Sequence, residues 1–197
     1  MKIILASKSP RRVEILRQIG AEFEIMPANT DETVTKGTRP VVAATEIAKR
    51  KALFIKEKLV TDGKDDFFII SADTVVVLGN KIIGKPENDE HAYKILKMLS
   101  GKTHRVLTGF TLCTKDKVYS SCEGTKVKFK ELSDDEIYRY IKSKEPNDKA
   151  GAYGIQEKGS LFVSGIKGDY FNVMGLPIYR ISKIAKEKFG IELVNFN

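Results

Sequence analysis

A mixed α/β sheet flanked by helices is the fold class this sequence predicts. Two observations predict it. Strand-length apolar runs alternate with amphipathic helical runs through the first part of the chain, and paired strand signals then fill its middle. Length agrees: 197 residues suit one domain over 1–197, with a substrate cleft between two small lobes. A domain of that size buries about 70% of its unfolded surface and needs no disulfide or structural metal to fold.

Each element has a local reason. Residues 2–6 are a short apolar run of the buried-strand kind. Ser9 stands as an N-cap with Pro10 in the first helical position, where its missing N–H costs nothing. Val13, Ile15, Leu16 and Ile19 supply the apolar stripe of that helix, and Gly20 ends it. Residues 21–26 return as a strand, and 29–33 form a polar loop. Pro40 opens a long helix to about Leu59, with Val41, Ala44, Ile47, Ala48, Leu53 and Ile55 apolar. Residues 67–71 read as a buried strand, and 74–78 with 81–83 as a hairpin across Gly79-Asn80. A helix over 87–99 ends near Gly101, and 106–114 with 117–129 make a long hairpin turning at Lys115-Asp116. Ser133 caps a helix whose first turn holds Asp134, Asp135 and Glu136, where the macrodipole favours them. Residues 148–154 are a Gly/Ala-rich loop, 160–163 a strand, and a final helix begins at Pro177.

Composition removes several classes of function. Hydrophobic residues make up 42% and charged residues 30% of the chain, ordinary globular values. There is no apolar run of about 18 residues that would cross a membrane, and the apolar stretch before Ser7 is too short for a signal peptide. Cys113 and Cys122 have neither C-x-x-C nor histidine spacing for zinc. A reduced, cytoplasmic protein is expected. Lys and Arg number 34 against 26 Asp and Glu, a formal net charge of +8. The cations are spread along the chain. Lys126, Lys128 and Lys130 alternate with Val127 and Phe129, as on a strand with one solvated face. Nothing spells an RNA-recognition, KH or helix-turn-helix signature, so no specific nucleic-acid partner is expected.

Three places could carry chemistry. Ser7-Lys8-Ser9-Pro10-Arg11-Arg12 lies between a strand and a helix, where free N–H groups and the positive end of the dipole attract anions. Two guanidiniums there suit a polyphosphate; the same residues also fit a plain cap with two solvated arginines. Gly79 to Lys85 nearly spells a phosphate-binding P-loop, but Pro86 replaces the hydroxyl that would hold magnesium, and Ile82 and Ile83 belong in a strand. Asp73, at the expected carboxyl end of a buried strand, stands where open α/β sheets place ligands; an aspartate that simply starts a turn fits the same position. Asp31 and Glu32 lie in a loop that could approach it. One or two carboxylates with substrate phosphates suffice for Mg²⁺. His91 and His104 are isolated from any cysteine or triad partner.

These segments, in order, resemble the Maf-like nucleoside triphosphate pyrophosphatases: Ala-Ser-x-Ser-Pro-Arg-Arg at 6–12, Asp-Glu at 31–32, Ala-x-x-Lys-Ala at 48–52, Ala-Asp-Thr-Val-Val at 72–76, Gly-Lys-Pro at 84–86, Leu-Ser-Gly-x-Thr-His at 99–104, Asp-Lys-Ala-Gly-Ala-Tyr-Gly-Ile-Gln at 148–156, and Val-Met-Gly-Leu-Pro at 173–177. The resemblance implies an inosine-triphosphate-pyrophosphatase-like fold and hydrolysis of a nucleoside triphosphate to monophosphate and pyrophosphate with Mg²⁺ or Mn²⁺. It implies Asp73 as proton acceptor, Ser7, Arg12, Lys51 and Lys85 at the phosphates, and Glu32 with Asp73 at the metal. Arg11, Thr74 and Gln156 match the positions that set the base, and their identities resemble the subgroup acting on dTTP and UTP. A homodimer and a house-cleaning role against non-standard nucleotides are further implications. The family resemblance also leaves a different class open, a binding protein in cell-division or septum control.

Overall fold

Strand β1 (Lys2–Leu5) enters a helix, α1 (Pro10–Gln18), through the turn at 6–9. The computed structural model describes residues 1–35 and 37–194. Strand β2 (Glu24–Ile25), helix α2 (Pro40–Thr61), strands β3 (Phe67–Leu78) and β4 (Lys81–Ile83), and helix α3 (Asp89–Leu99) follow. Strands β5 (Thr103–Cys113) and β6 (Val118–Phe129) lead to helix α4 (Asp134–Lys142), strand β7 (Val163–Lys167), and helices α5 (Tyr170–Met174) and α6 (Ile178–Ile184). The strands form one seven-stranded sheet in the order β2-β1-β3-β5-β6-β7, with β4 paired to β3. It is mixed: β1 is parallel to β2 and β3, whereas β3/β4 and β6/β7 are antiparallel.

Several boundaries differ from expectation, each for a local reason. Residues 67–71 and 74–78 are one strand, β3, because Ser71, Ala72 and Asp73 continue the extended backbone without a turn. Ser9 occupies the N-cap position of α1 but its side chain accepts no capping bond; its own N–H instead donates to Ser7 Oγ at 3.2 Å. The second strand shrinks to two exposed residues. The strand expected at 160–163 is a 3-10 turn, Lys158–Phe162, and the strand begins only at Val163. A short 3-10 turn, Glu145–Asp148, leads into the Gly/Ala-rich loop, which itself contains a second, Ala150–Ala152. At α4 the expectation holds fully: Ser133 Oγ accepts the Glu136 N–H while the Glu136 carboxylate accepts the Ser133 N–H.

The chain divides into two compact units. The first comprises residues 1–73, 108–123 and 175–197, its last three outside the described range. Its core joins Ile4 and Ala6 to Ile69, Phe67 and Cys113, with Ala52, Ile55 and Leu59 of α2 on top. Small residues let α2 lie close. A Cβ on Gly109 would stand 2.3 Å from the Ala44 carbonyl carbon, so this position must be glycine.

The second unit comprises residues 74–107 and 124–174. An edge-to-face aromatic column runs through it: His104 on Phe129 (4.9 Å), Phe129 on Tyr153 (4.8 Å) and Phe162 (6.0 Å), and Phe162 on Tyr140 (4.8 Å). His104 Nε2 bonds the Tyr153 hydroxyl at 2.8 Å, and Nδ1 has no hydrogen-bond partner among the described residues. The basic strand behaves as read: Val127 and Phe129 are buried, Lys126, Lys128 and Lys130 exposed. No helix among the described residues is long and apolar enough to cross a membrane.

Burial pulls the His104 imidazole down to about 4, below the ordinary value of 6.5. The folded protein therefore keeps the ring neutral where the unfolded chain takes up a proton, and stability is lost as pH falls from about 6.5 to about 4. The full difference is roughly 3 kcal/mol. Urea unfolding across that window should show the slope in the wild type and a flatter profile in His104→Gln. Equal slopes would remove His104 as the cause.

Candidate active site

The parallel pairing of β1 with β3 extends one bond past the strand, Ala6 N–H to Ile70 O at 2.8 Å. Ser7 thereby comes level with the stretch of β3 just before Asp73. Asp73 does not end its strand as expected; it lies where β3 runs on beyond its parallel neighbour, so the carboxyl end of β1 and the Asp73 side chain share one edge.

The position of α2 follows from β3. Ser71 Oγ, fully buried, donates to Ala48 O at 2.7 Å. Side chains two apart on a strand share a face, so Asp73 also faces α2. Lys51 is three residues on from Ala48, one turn along the same helix face. The two steps match, and Lys51 Nζ meets Asp73 Oδ1 at 2.8 Å. On its other side Nζ meets Glu32 Oε1, also at 2.8 Å. The Lys51 side chain is 8% exposed and that of Asp73 14%, while Glu32 is 57% exposed. A nearly dehydrated ammonium is thus held by one buried and one solvated carboxylate.

Local bonds shape the loop that presents Glu32. Asp31 turns away: its carboxylate accepts the Thr33 N–H at 2.8 Å and the Thr33 hydroxyl at 2.6 Å, an Asx turn. Arg50 Nη2 donates to Thr33 O at 2.8 Å, tying the loop to α2.

On the β1 side, Ser7 Oγ accepts from Arg12 Nη1 at 3.0 Å, and Arg12 Nε donates to Gly175 O at 2.8 Å. Burial lowers the Arg12 pKa, Asp73 opposes this, Arg11 adds to it, and Glu32 opposes it again. The guanidinium remains charged. The structure brings Ser7, Arg12, Glu32, Lys51 and Asp73 together, with Arg11 acting on Arg12 through its charge. Gly175 and Ser71 were not legible as site residues. Gly175 acts through its carbonyl, which any residue could offer, while Ser71 carried one signal, a hydroxyl in a fully buried strand.

Thr74, Lys85 and Gln156 belong to the second unit. Thr74 is half-buried on β3, Lys85 exposed after β4, and Gln156 half-buried in the loop after Tyr153. Gly151 joins their elements. Its N–H donates to Gly84 O at 3.0 Å, and a Cβ there would press Val76 Cγ2 at 2.9 Å. Gly79-Asn80 is the β3/β4 turn and Ile82 and Ile83 lie in β4, so no P-loop forms.

Among the described residues no three His, Cys, Asp or Glu side chains gather as a metal site. Glu32 and Asp73, both reaching one ammonium, are a donor set of two carboxylates. That set fits a hard divalent cation whose remaining ligands are water and phosphate.

An α/β sheet with paired carboxylates and buried cations at one strand edge defines a candidate phosphate-transfer enzyme. The chain belongs to the family described as Maf-like protein, whose model matches residues 2–188. It is 49% identical over 195 residues to the dTTP/UTP pyrophosphatase of Alkaliphilus oremlandii, covering 98% of this chain and 99% of that one. It is 51% identical over 187 residues to the protein of the same name from Pyrococcus furiosus, covering 94% of each. The Aquifex aeolicus dTTP/UTP pyrophosphatase is 48% identical over 187 residues, 95% of each. Among solved structures, the Staphylococcus aureus Ham1 protein overlaps 66% of this chain and 72% of its own at 12% identity, with a TM-score of 0.43.

Burial differences around Lys51 predict unequal couplings. A double-mutant cycle on urea stability should give about 1–3 kcal/mol for Lys51→Met with Asp73→Asn. Lys51→Met with Glu32→Gln should give less than about 1 kcal/mol, because Glu32 is solvated. Equal couplings would contradict this account of the bridge.

Proposed function

We propose that this chain is a nucleoside triphosphate pyrophosphatase that hydrolyses dTTP and UTP, with modified pyrimidine triphosphates, to the monophosphate and pyrophosphate. The observation that carries the reading is the Lys51 bridge, which sets Glu32 and Asp73 on one ammonium beside the Ser7–Arg12 pair. The names of the relatives support the same substrate class.

Asp73 accepts a proton from a water that attacks the α-phosphorus. The new bond is from water oxygen to phosphorus; the bond to the bridging oxygen breaks, and pyrophosphate leaves with that oxygen. Arg12, Lys51 and Ser7 bind phosphate oxygens, and family resemblance assigns Lys85 the same task in the second unit. Arg11, Arg12 and Lys51 against Glu32 and Asp73 leave a surplus of one positive charge, short of what a triphosphate carries. Mg²⁺ or Mn²⁺ held by Glu32 and Asp73 would add two more positive charges and offset charge developing on the leaving group. The cytoplasmic homodimer, without nucleic-acid partners, is part of the same proposal.

Base choice rests on Arg11, Thr74 and Gln156. The Gln156 amide offers both a donor and an acceptor, matching the N3–H and a carbonyl of thymine or uracil together. A carboxylate there could only accept.

A triphosphate panel scored for pyrophosphate should show dTTP and UTP cleaved well and GTP poorly. Asp73→Asn should fold, since Lys51 keeps Glu32, yet lose roughly 10²–10⁴ in turnover. Gln156→Glu should lower the dTTP rate selectively. Diphosphate with orthophosphate as products, or a wild-type preference for GTP, would overturn the assignment.

A further inference from the structure

Glu145 is only half-buried, yet three bonds from the surrounding chain converge on its carboxylate. Oε1 accepts the Tyr140 hydroxyl at 2.8 Å and the Gly159 N–H at 3.1 Å, and Oε2 accepts the Lys158 N–H at 3.1 Å. The Tyr140 oxygen in turn accepts the Gly154 N–H at 3.2 Å. The loop 154–159 is therefore gripped at both ends by one pair of side chains. Tyr140 holds its beginning, and Glu145 holds its end. Gln156 stands between them.

The base of this loop is pinched shut. A Cβ on Gly159 would lie 2.6 Å from Gly154 O and 2.8 Å from the Tyr140 hydroxyl, and one on Gly154 would lie 2.8 Å from Lys149 Cε. Gly159 needs glycine for close approach to backbone rather than for backbone angle, while a Cβ on Gly154 would have to displace the Lys149 side chain. Lys149, with a side chain 8% exposed, closes a further side. Its ammonium donates to Glu145 O at 2.8 Å and Asp148 Oδ1 at 2.9 Å, and pairs with Glu157 Oε2 at 3.3 Å. Glu157 is the neighbour of Gln156, so the grip extends to the residue beside it. Lys144 (φ 61°) and Ala152 (φ 57°), both in the stretch that leads into the loop, hold left-handed backbone. Such conformations persist in non-glycine residues where the surroundings over-determine them, and they cluster at functional sites.

The chemistry of the grip is selective. Gly159, Lys158 and Tyr140 all present hydrogens to Glu145, and only an ionised carboxylate is acceptor on both oxygens. Burial raises the Tyr140 pKa, and the bond to Glu145 raises it further, so the phenol stays a donor. An amide that reads a base by donor and acceptor together discriminates only while its direction is fixed, because a mobile amide can turn to suit either edge.

We infer that the Tyr140–Glu145 pair is the positioning unit that fixes the loop carrying Gln156 and thereby sets discrimination between pyrimidine and purine triphosphates. This rests on the base-reading role proposed above for Gln156.

Two variants test it, Glu145→Gln and Tyr140→Phe, the second keeping its ring against Phe162. Two readouts are needed. In the full-length protein, amide exchange at Gly154, Lys158 and Gly159 should quicken by about tenfold or more, with β1 and β5 amides unchanged. The dTTP-over-GTP ratio of kcat/KM should fall by roughly tenfold, mostly through a higher KM for dTTP. A ratio unchanged in both variants, including one unchanged because dTTP and GTP rates drop alike, would overturn the inference and leave the Gln156 reading standing. A wild type indifferent to the base would overturn the Gln156 reading itself, and this inference with it.

Discussion

Burying a lysine ammonium is costly unless carboxylates surround it, and the first unit is arranged around meeting that cost for Lys51. Its Nζ is held by Asp73 from the sheet and Glu32 from a loop. Everything nearby serves to bring those three groups to one point. Ser71 pins α2 to β3 through Ala48 O, and Gly109 lets α2 settle backbone against backbone. Asp31, Thr33 and Arg50 shape the loop that offers Glu32. Replace Gly109 with alanine and the Ala44 backbone must move, taking with it the helix that carries Lys51.

The arrangement also explains why so few protein groups suffice for the proposed chemistry. Phosphoryl transfer asks for positioning and charge neutralisation more than covalent help. A lysine already bound by two carboxylates, next to a buried arginine, is a fixed point charge rather than a searching one, and little reorganisation is left for the moment of reaction. In the second unit the corresponding rigidity comes from a different source, an aromatic column beneath a loop held by hydrogen bonds to a carboxylate and a phenol.

Much of this was legible in the sequence, for reasons that can be named. The capping box at Ser133 and Glu136 is a local device, complete within four residues, and it formed as read. Pro10 and Pro40 fixed two helix starts for the same reason. Strand β3 reads as divided because Ser71 and Asp73 interrupt its apolar run; those residues face α2, one bonding Ala48 O and the other Lys51, so their polarity hides the strand. The strand at 163–167 was misplaced because the apolar signal belongs to Leu161, which is 74% exposed, and Phe162, which joins the aromatic column. True β7 is mostly exposed and has no buried face to reveal it. Of the site, the charged and hydroxyl side chains carried their own signal. Gly175, which acts through a carbonyl, stood out only as part of the segment at 173–177, and Tyr140 and Glu145 not at all, since their relation to Gln156 exists only once the chain has folded.

In the proposed reaction Asp73 takes the proton of a water that attacks the α-phosphorus, and the fate of the water oxygen tests this directly. A single turnover of dTTP in ¹⁸O-labelled water, followed by mass analysis of both products, should place the label in dTMP and leave pyrophosphate unlabelled. Label in the pyrophosphate would mean attack at the β-phosphorus and would contradict the account.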